Sequence, residues 1–221
     1  VGQVIGGSGM SAVSTGGNIL HLLTFVAMGF SGAGQVIIAR EVGRKDHEAI
    51  KKTIGTLFTL LFTIALIISA GCYIFRDTLL QLVNTPAEAY DYTMDYTVIC
   101  ILGLIFIYGY NVVSAIMRGM GDSKRPFMFV AIAAVINIVL DIVFVAYLHM
   151  EVAGAAWATV IGQSFSFLFA FVYLYRRKED FGFDFKLQSF KPDGQAMAKI
   201  SALGIPMALQ SASISISQTV V

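Results

Sequence analysis

Charged side chains are scarce in this sequence. Only 13% of its 221 residues are Asp, Glu, Lys or Arg, against about 25% in soluble domains. The hydrophobic share is 57%, and the mean hydropathy is +0.75. An ordinary cytosolic enzyme, a nucleic-acid binder and a disordered chain are all excluded by that balance. A formal net charge of +1 points to no polyanionic partner, nucleic acid included. Cysteine is nearly absent: Cys72 and Cys100 both sit in apolar runs. Two such thiols suit neither a disulfide scaffold nor a thiolate metal site, and read as small buried hydrophobes. His-Glu-x-x-His, Gly-x-Ser-x-Gly and phosphate-loop patterns are missing too. The chain opens on Val1 rather than Met. It is expected to be a piece of a longer protein lacking both ends, so an absent signal peptide means little.

Long apolar runs are what the sequence does have. A membrane helix needs about 20 mostly apolar residues to cross roughly 30 Å of hydrocarbon. Five runs qualify: Asn18–Ala39, Ile54–Phe75, Tyr92–Met117, Pro126–Leu148 and Val152–Tyr175. A sixth opens near Ile200 and stops at Val221. Residues 1–17, rich in Gly and Ser, read as the exit of a preceding helix. Pro126 suits the first turn of a helix. The stretch 119–126 reads as a turn, and Leu148–Val152 as a tight hairpin. Residues 176–199 are the one long polar connection. Phe181, Phe183 and Phe185 alternate with charges there, which fits a short amphipathic or extended surface segment.

Basic residues alternate between loops. Fourteen of the fifteen Lys and Arg follow the first, third or fifth run, and the intervening loops hold only Arg76 beside Asp77, Glu88, Asp91, Asp95 and Glu151. The positive-inside rule makes the three basic loops cytoplasmic.

An ionisable side chain at membrane depth is a functional hypothesis by default. Asp141 is the clearest here, and Asn137 lies four residues earlier on the same helix face. Asp141 is about 10 Å inside one end of its helix, and Thr159 about 10 Å inside the same end of the next. Asn137, Asp141 and Thr159 can therefore meet at one level in the outer half of the membrane. Their oxygens suit Na⁺, while a desolvated carboxylate could carry a proton instead. The bland alternative for Asn137 and Thr159 is interhelical hydrogen bonding. Tyr96 is either an interfacial anchor or a fourth member of that level through its hydroxyl. Gln35, Asn111 and Gln163 are possible cavity-lining residues, with helix packing as the alternative for the first two. His21 has no Asp, Glu or Cys partner at metal spacing and reads as packed or pore-facing. Gly119-Met-Gly121-Asp122 matches the Gly-x-Gly-Asp pattern of intramembrane aspartyl proteases. Asp122 falls in a basic turn, however, where pairing with Arg118 or Arg125 or capping the next helix is the natural role.

Four stretches together resemble the MATE (multidrug and toxic compound extrusion) transporters. They are Gly32-Ala-Gly34-Gln35 with Ala39-Arg40-Glu41-Val42-Gly43, Arg118–Pro126, Asn137–Asp141, and Val152–Thr159. The resemblance covers essentially the whole chain. It implies an all-α, polytopic helical bundle: a six-helix lobe without its first helix, then the start of a second lobe. Residues 1–175 would be helices two to six of the N-terminal lobe, 176–199 the cytoplasmic inter-lobe loop, and 200–221 the start of helix seven. In one family branch a cation site uses Asn and Asp of helix five, Thr of helix six and Tyr of helix four. The matching positions are Asn137, Asp141, Thr159 and Tyr96. An Asp that the family also uses lies in helix one, outside this sequence. Pro206–Val221 carries no acidic residue, which favours the N-lobe site over the helix-seven Glu of some relatives.

The expected function is a cation-coupled efflux antiporter, not an enzyme, in a bacterial inner (plasma) membrane. No cofactor is implied; the coupling ion is Na⁺ or H⁺, with any Na⁺ at the same four residues. The expected partners are a small organic substrate, amphipathic or cationic, the lipid bilayer, and the second lobe of the same chain. The alternatives are a lipid-linked oligosaccharide flippase of the same superfamily and a non-transporting membrane bundle.

Overall fold

The computed structural model describes residues 2–83 and 85–220, with side chains over 6–83 and 85–213. Among these there are helices and no strand. Seven α-helices follow one another: α1 Gly2–Gly43, α2 His47–Ile74, α3 Arg76–Leu82, α4 Tyr90–Gly119, α5 Lys124–Asp141, α6 Glu151–Arg176 and α7 Gly194–Val220. Hydrocarbon offers no partner to a backbone N–H or C=O, so a chain this apolar satisfies them within helices. Five are long and apolar enough to cross a membrane: α1, α2, α4, α5 with its extension, and α6.

The expected spans are present, and their borders move. Residues 7–17 run into α1 rather than ending a separate helix; the break lies earlier, at Gly6, where φ is +70° and two helical pieces meet. Small residues there do not stop a helix that has a surface to pack on, and Ala12 is fully buried. Helix α2 begins at His47 rather than Ile54 because Asp46 caps it, accepting a 3.0 Å hydrogen bond from the Ala49 N–H. Helix α7 opens at Gly194, ahead of Ile200. Asp193 accepts there from the N–H groups of Ala196 and Gln195, at 2.9 and 3.1 Å. The α5 span reaches Tyr147 by changing type: Ile142–Tyr147 is a π turn.

Among the described residues helix α4 is the central post: 67% of its most apolar window is buried, against 11% for α5. The main core packs Leu57 and Leu61 of α2 against Leu104, Tyr108 and Ile116 of α4. Tyr108 donates to the Leu23 carbonyl of α1 at 2.7 Å. A second, smaller core gathers Tyr96, Cys100, Val145, Val152 and Ala155 near the opposite end. Cys100 is buried and free, as expected; Cys72 is free and half-buried.

The connection after α6 is amphipathic: Glu179, Asp180, Asp184 and Lys186 are exposed, and its phenylalanines turn inward. Phe181 and Phe183 are buried, and Phe183 meets Phe185 and Phe190 edge-on at 4.9 and 5.4 Å. Phe58 of α2 completes the cluster. Aromatic area of this size is worth more inside the bundle's end than in water.

Candidate functional site: a polar cluster on α5 and α6

Helix α5 packs chiefly on α6, and the approach is close beside Asn137. A Cβ built on Gly162 would sit 3.1 Å from the Asn137 Cβ, so only glycine allows this spacing without a shift. The Asn137 and Thr159 side chains line one groove between the two helices. The Thr159 hydroxyl donates to the Ala155 carbonyl at 3.0 Å, which leaves its lone pairs available. Tyr96, 5% exposed, brings its hydroxyl beside Thr159 and Cys100.

Asp141 itself is half-buried. It ends the regular part of α5, one turn beyond Asn137 and just before the π turn. Leu148 N–H bonds to the Val143 carbonyl at 2.9 Å, five residues back. Such π turns recur at functional sites. Among the described residues no Lys, Arg or His pairs with Asp141. Of the four expected residues, Asn137 and Thr159 line one groove and Tyr96 stands beside Thr159, while Asp141 lies one turn beyond Asn137 and is not part of the lining.

The other candidates divide. Gln163 lines the same groove. Gln35 lies at the basic end, where its Oε1 accepts from Arg118 Nε at 2.9 Å. Asn111 donates to the Ile107 carbonyl of its own helix at 2.8 Å. His21 is exposed and meets Phe25 edge-on at 4.8 Å. Asp122 lies in the α4–α5 turn and pairs with Arg125 at 3.1 Å. No group of three or more His, Cys, Asp and Glu is placed to hold a metal among the described residues.

Two features had little sequence signal. The π turn has no residue signature. Glu41, amid the basic residues 40–45, is buried and accepts from Thr53 at 2.8 Å.

Comparison with known proteins decides the family. The MatE family model matches residues 1–143. The chain belongs to the MatE family. It is 30% identical to the probable multidrug resistance protein YpnP of Bacillus subtilis, over 95% of this chain and 46% of that protein. It is 29% identical to the probable multidrug resistance protein YoeA of the same organism, over 100% of this chain and 49% of that one. A solved multidrug resistance MATE family transporter of the MOP superfamily, in an inward-facing conformation, superposes with a TM-score of 0.87. Its identity is 26%, over 95% of this chain and 47% of the solved one. This MatE chain therefore spans about half the length of the relatives it matches. The family is one of multi-pass membrane transporters and not of enzymes, in keeping with the five membrane-length helices.

Proposed function

We propose that the complete protein is a cation-coupled antiporter that exports small organic compounds, with Asp141, Asn137, Thr159 and Tyr96 as its coupling site. Asp141 carries the reading. A half-buried carboxylate on a membrane helix, with no Lys, Arg or His paired to it among the described residues, needs an ion or a proton for its charge. Asn137, Thr159 and Tyr96 supply neutral oxygens next to it, hard donors that suit Na⁺ and equally a protonated carboxyl. The exposed carboxylates Asp91, Asp95 and Glu151 stand at the same end of the bundle and raise the local cation concentration.

In this reading the basic loops are cytoplasmic and the membrane is the bacterial plasma membrane. Residues 1–175 make up most of the first lobe, and α7 opens the second. Inward movement of Na⁺ or H⁺ at Asp141 biases two packings of the lobe, one of which releases an amphipathic or cationic substrate outward. Glu41 is the one charged side chain buried among the described residues. A strongly basic interior suited to a lipid-linked oligosaccharide is thus not what these helices supply.

The test is made in sealed vesicles holding the full-length protein. Under an imposed Na⁺ or H⁺ gradient, an organic cation should collapse the gradient with wild type. Asp141→Asn should fold normally and show only the flux of empty vesicles. Normal coupled flux in that variant would sink the proposal.

A further inference from the structure

The connection between α6 and α7 is polar and long, and segments that join two units are ordinarily held loosely. This one is bound to α2 along its length. Ser189 lays its carbonyl against Gly55, where a Cβ would come within 1.8 Å of that oxygen. Glycine weakens the interior of a helix, and here it opens the gap through which a second backbone reaches α2. The same part of α2 supplies polar groups. The Asp193 N–H donates to the Thr56 hydroxyl at 2.9 Å, and the Thr59 hydroxyl lies between the carbonyls of Phe190 and Gly55. Gly55 and Thr59, four residues apart, share one helix face. Backbone groups that leave water need partners, and two threonines of a membrane helix provide them.

Apolar contacts fasten both sides. Phe190 meets Phe58 of α2 edge-on at 5.6 Å. Phe185 meets Phe171 and Tyr175 of α6 edge-on at 5.6 and 5.5 Å. Phe181 and Phe183 are buried, and each such ring takes about 150–250 Å² out of water. Asp193 then caps α7, whose Ile200 is fully buried in the same core as Leu57 and Phe58. Each of these contacts joins two segments of this chain, so none depends on a further helix.

We propose that residues 181–193 are a fixed strap rather than a free tether, with Gly55, Thr56 and Thr59 of α2 as its positioning residues, and that the strap stays seated while the two lobes alternate. The inference rests on the reading above, in which α7 opens the second lobe. A flexible connection of this length would let its ends wander by about 20 Å. A seated strap instead fixes the start of α7 against α2, so that motion of the second lobe begins from a point held on the first.

The test joins the strap to its seat in the full-length protein. Lys52 and Gln188 are exposed and line one cavity between α2 and the connection, so a short bifunctional methanethiosulfonate can bridge cysteines placed there. Lys52→Cys/Gln188→Cys is made with the native cysteines replaced by alanine. It is assayed in sealed vesicles by counterflow of tetraphenylphosphonium, an amphipathic organic cation. Counterflow needs alternation of the lobes but no ion gradient, so a failure of ion coupling at Asp141 is told apart from a failure of the strap. The bridged protein should keep the counterflow of the unbridged one. Counterflow that stops on bridging and returns with reductant would mean that the strap must lift, and would overturn the proposal. Amide exchange decides without any substrate. Residues 183–190 should exchange as slowly as α2 in Na⁺, in acid and in neither; the rate of an open loop in any of the three overturns the strap. Gly55→Leu should speed that exchange and cut counterflow, each about tenfold, which corresponds to about 1.4 kcal/mol of seating free energy. Faster exchange beside full counterflow would show the seat to be dispensable and overturn its positioning role. Thr56→Val should act in the same direction, with Thr56→Ser restoring both.

Discussion

Glu41 sits at the basic end of α1 and accepts a 2.8 Å hydrogen bond from Thr53 of α2. Lys199 of α7, Arg40 and Asp46 are near enough to act on its charge. One side chain thus touches the setting of three helices. Thr53→Val leaves a buried carboxylate oxygen without its donor, a loss of about 1–3 kcal/mol. The thermal midpoint in detergent should drop for Thr53→Val and recover for Thr53→Ser; equal midpoints for wild type and Thr53→Val would argue against a structural bond. In the sequence Glu41 looks like one more charge in a basic loop, because the partner that buries it comes from another helix. Asp141 was legible for the opposite reason: it is an isolated carboxylate inside an apolar run, conspicuous without any knowledge of its neighbours. Its place outside the groove lining was not legible, since helical spacing fixes height and face but not the gap between two helices.

The turn between α4 and α5 is held by a compact set of contacts. Asp122 accepts from Arg125 Nη1 at 3.1 Å, from the Arg125 N–H at 3.3 Å and from the Tyr173 hydroxyl at 3.2 Å. The Arg125 guanidinium also lies 4.9 Å from the Tyr173 ring centroid. Partial burial pushes the Asp122 carboxyl up, but the bonds from Arg125 and Tyr173 outweigh it and hold the group below its ordinary value. A carboxyl lowered in the folded state contributes fully at neutral pH, and that contribution fades as pH falls through the acid range. Asp122→Asn should therefore melt earlier than wild type at pH 7, and the two should converge in acid. A gap that widens in acid would contradict the assignment. At this scale the sequence was a good guide to the spans and to the α5–α6 hairpin. It misplaced ends wherever a cap such as Asp46 or Asp193 extended a helix into polar residues. It was silent on the π turn at Ile142–Tyr147, which leaves no mark in the residue pattern.

Helices α1 and α7 cross at contact distance in the middle of the bundle. A Cβ on Gly29 would lie 2.5 Å from the Ala208 backbone, and one on Gly204 2.8 Å from the Phe30 ring. Gly204→Leu adds volume where none is free, at a cost of about 1–3 kcal/mol. Amide exchange in α7 should accelerate in that variant while α4 keeps its protection; unaltered exchange in α7 would show that the crossing tolerates the bulk. Hydropathy and charge alternation were enough to lay out the whole molecule as a membrane bundle. Alternation with charges marked Phe181 and Phe183 as one face of an amphipathic segment, but not that Phe58 of α2 would be its partner.

Helix α5 brings the consequence of its length with it. With its π extension it covers Lys124–Tyr147, about 35 Å of helix against a hydrocarbon layer of about 30 Å. Such a mismatch is met by tilting or by local thickening of the bilayer. Among the described residues α6 is its main protein neighbour, so a tilt of α5 would shift Asn137 and Asp141 against that partner. The acyl length of the surrounding membrane thereby enters the geometry around Asp141 as directly as any side chain does.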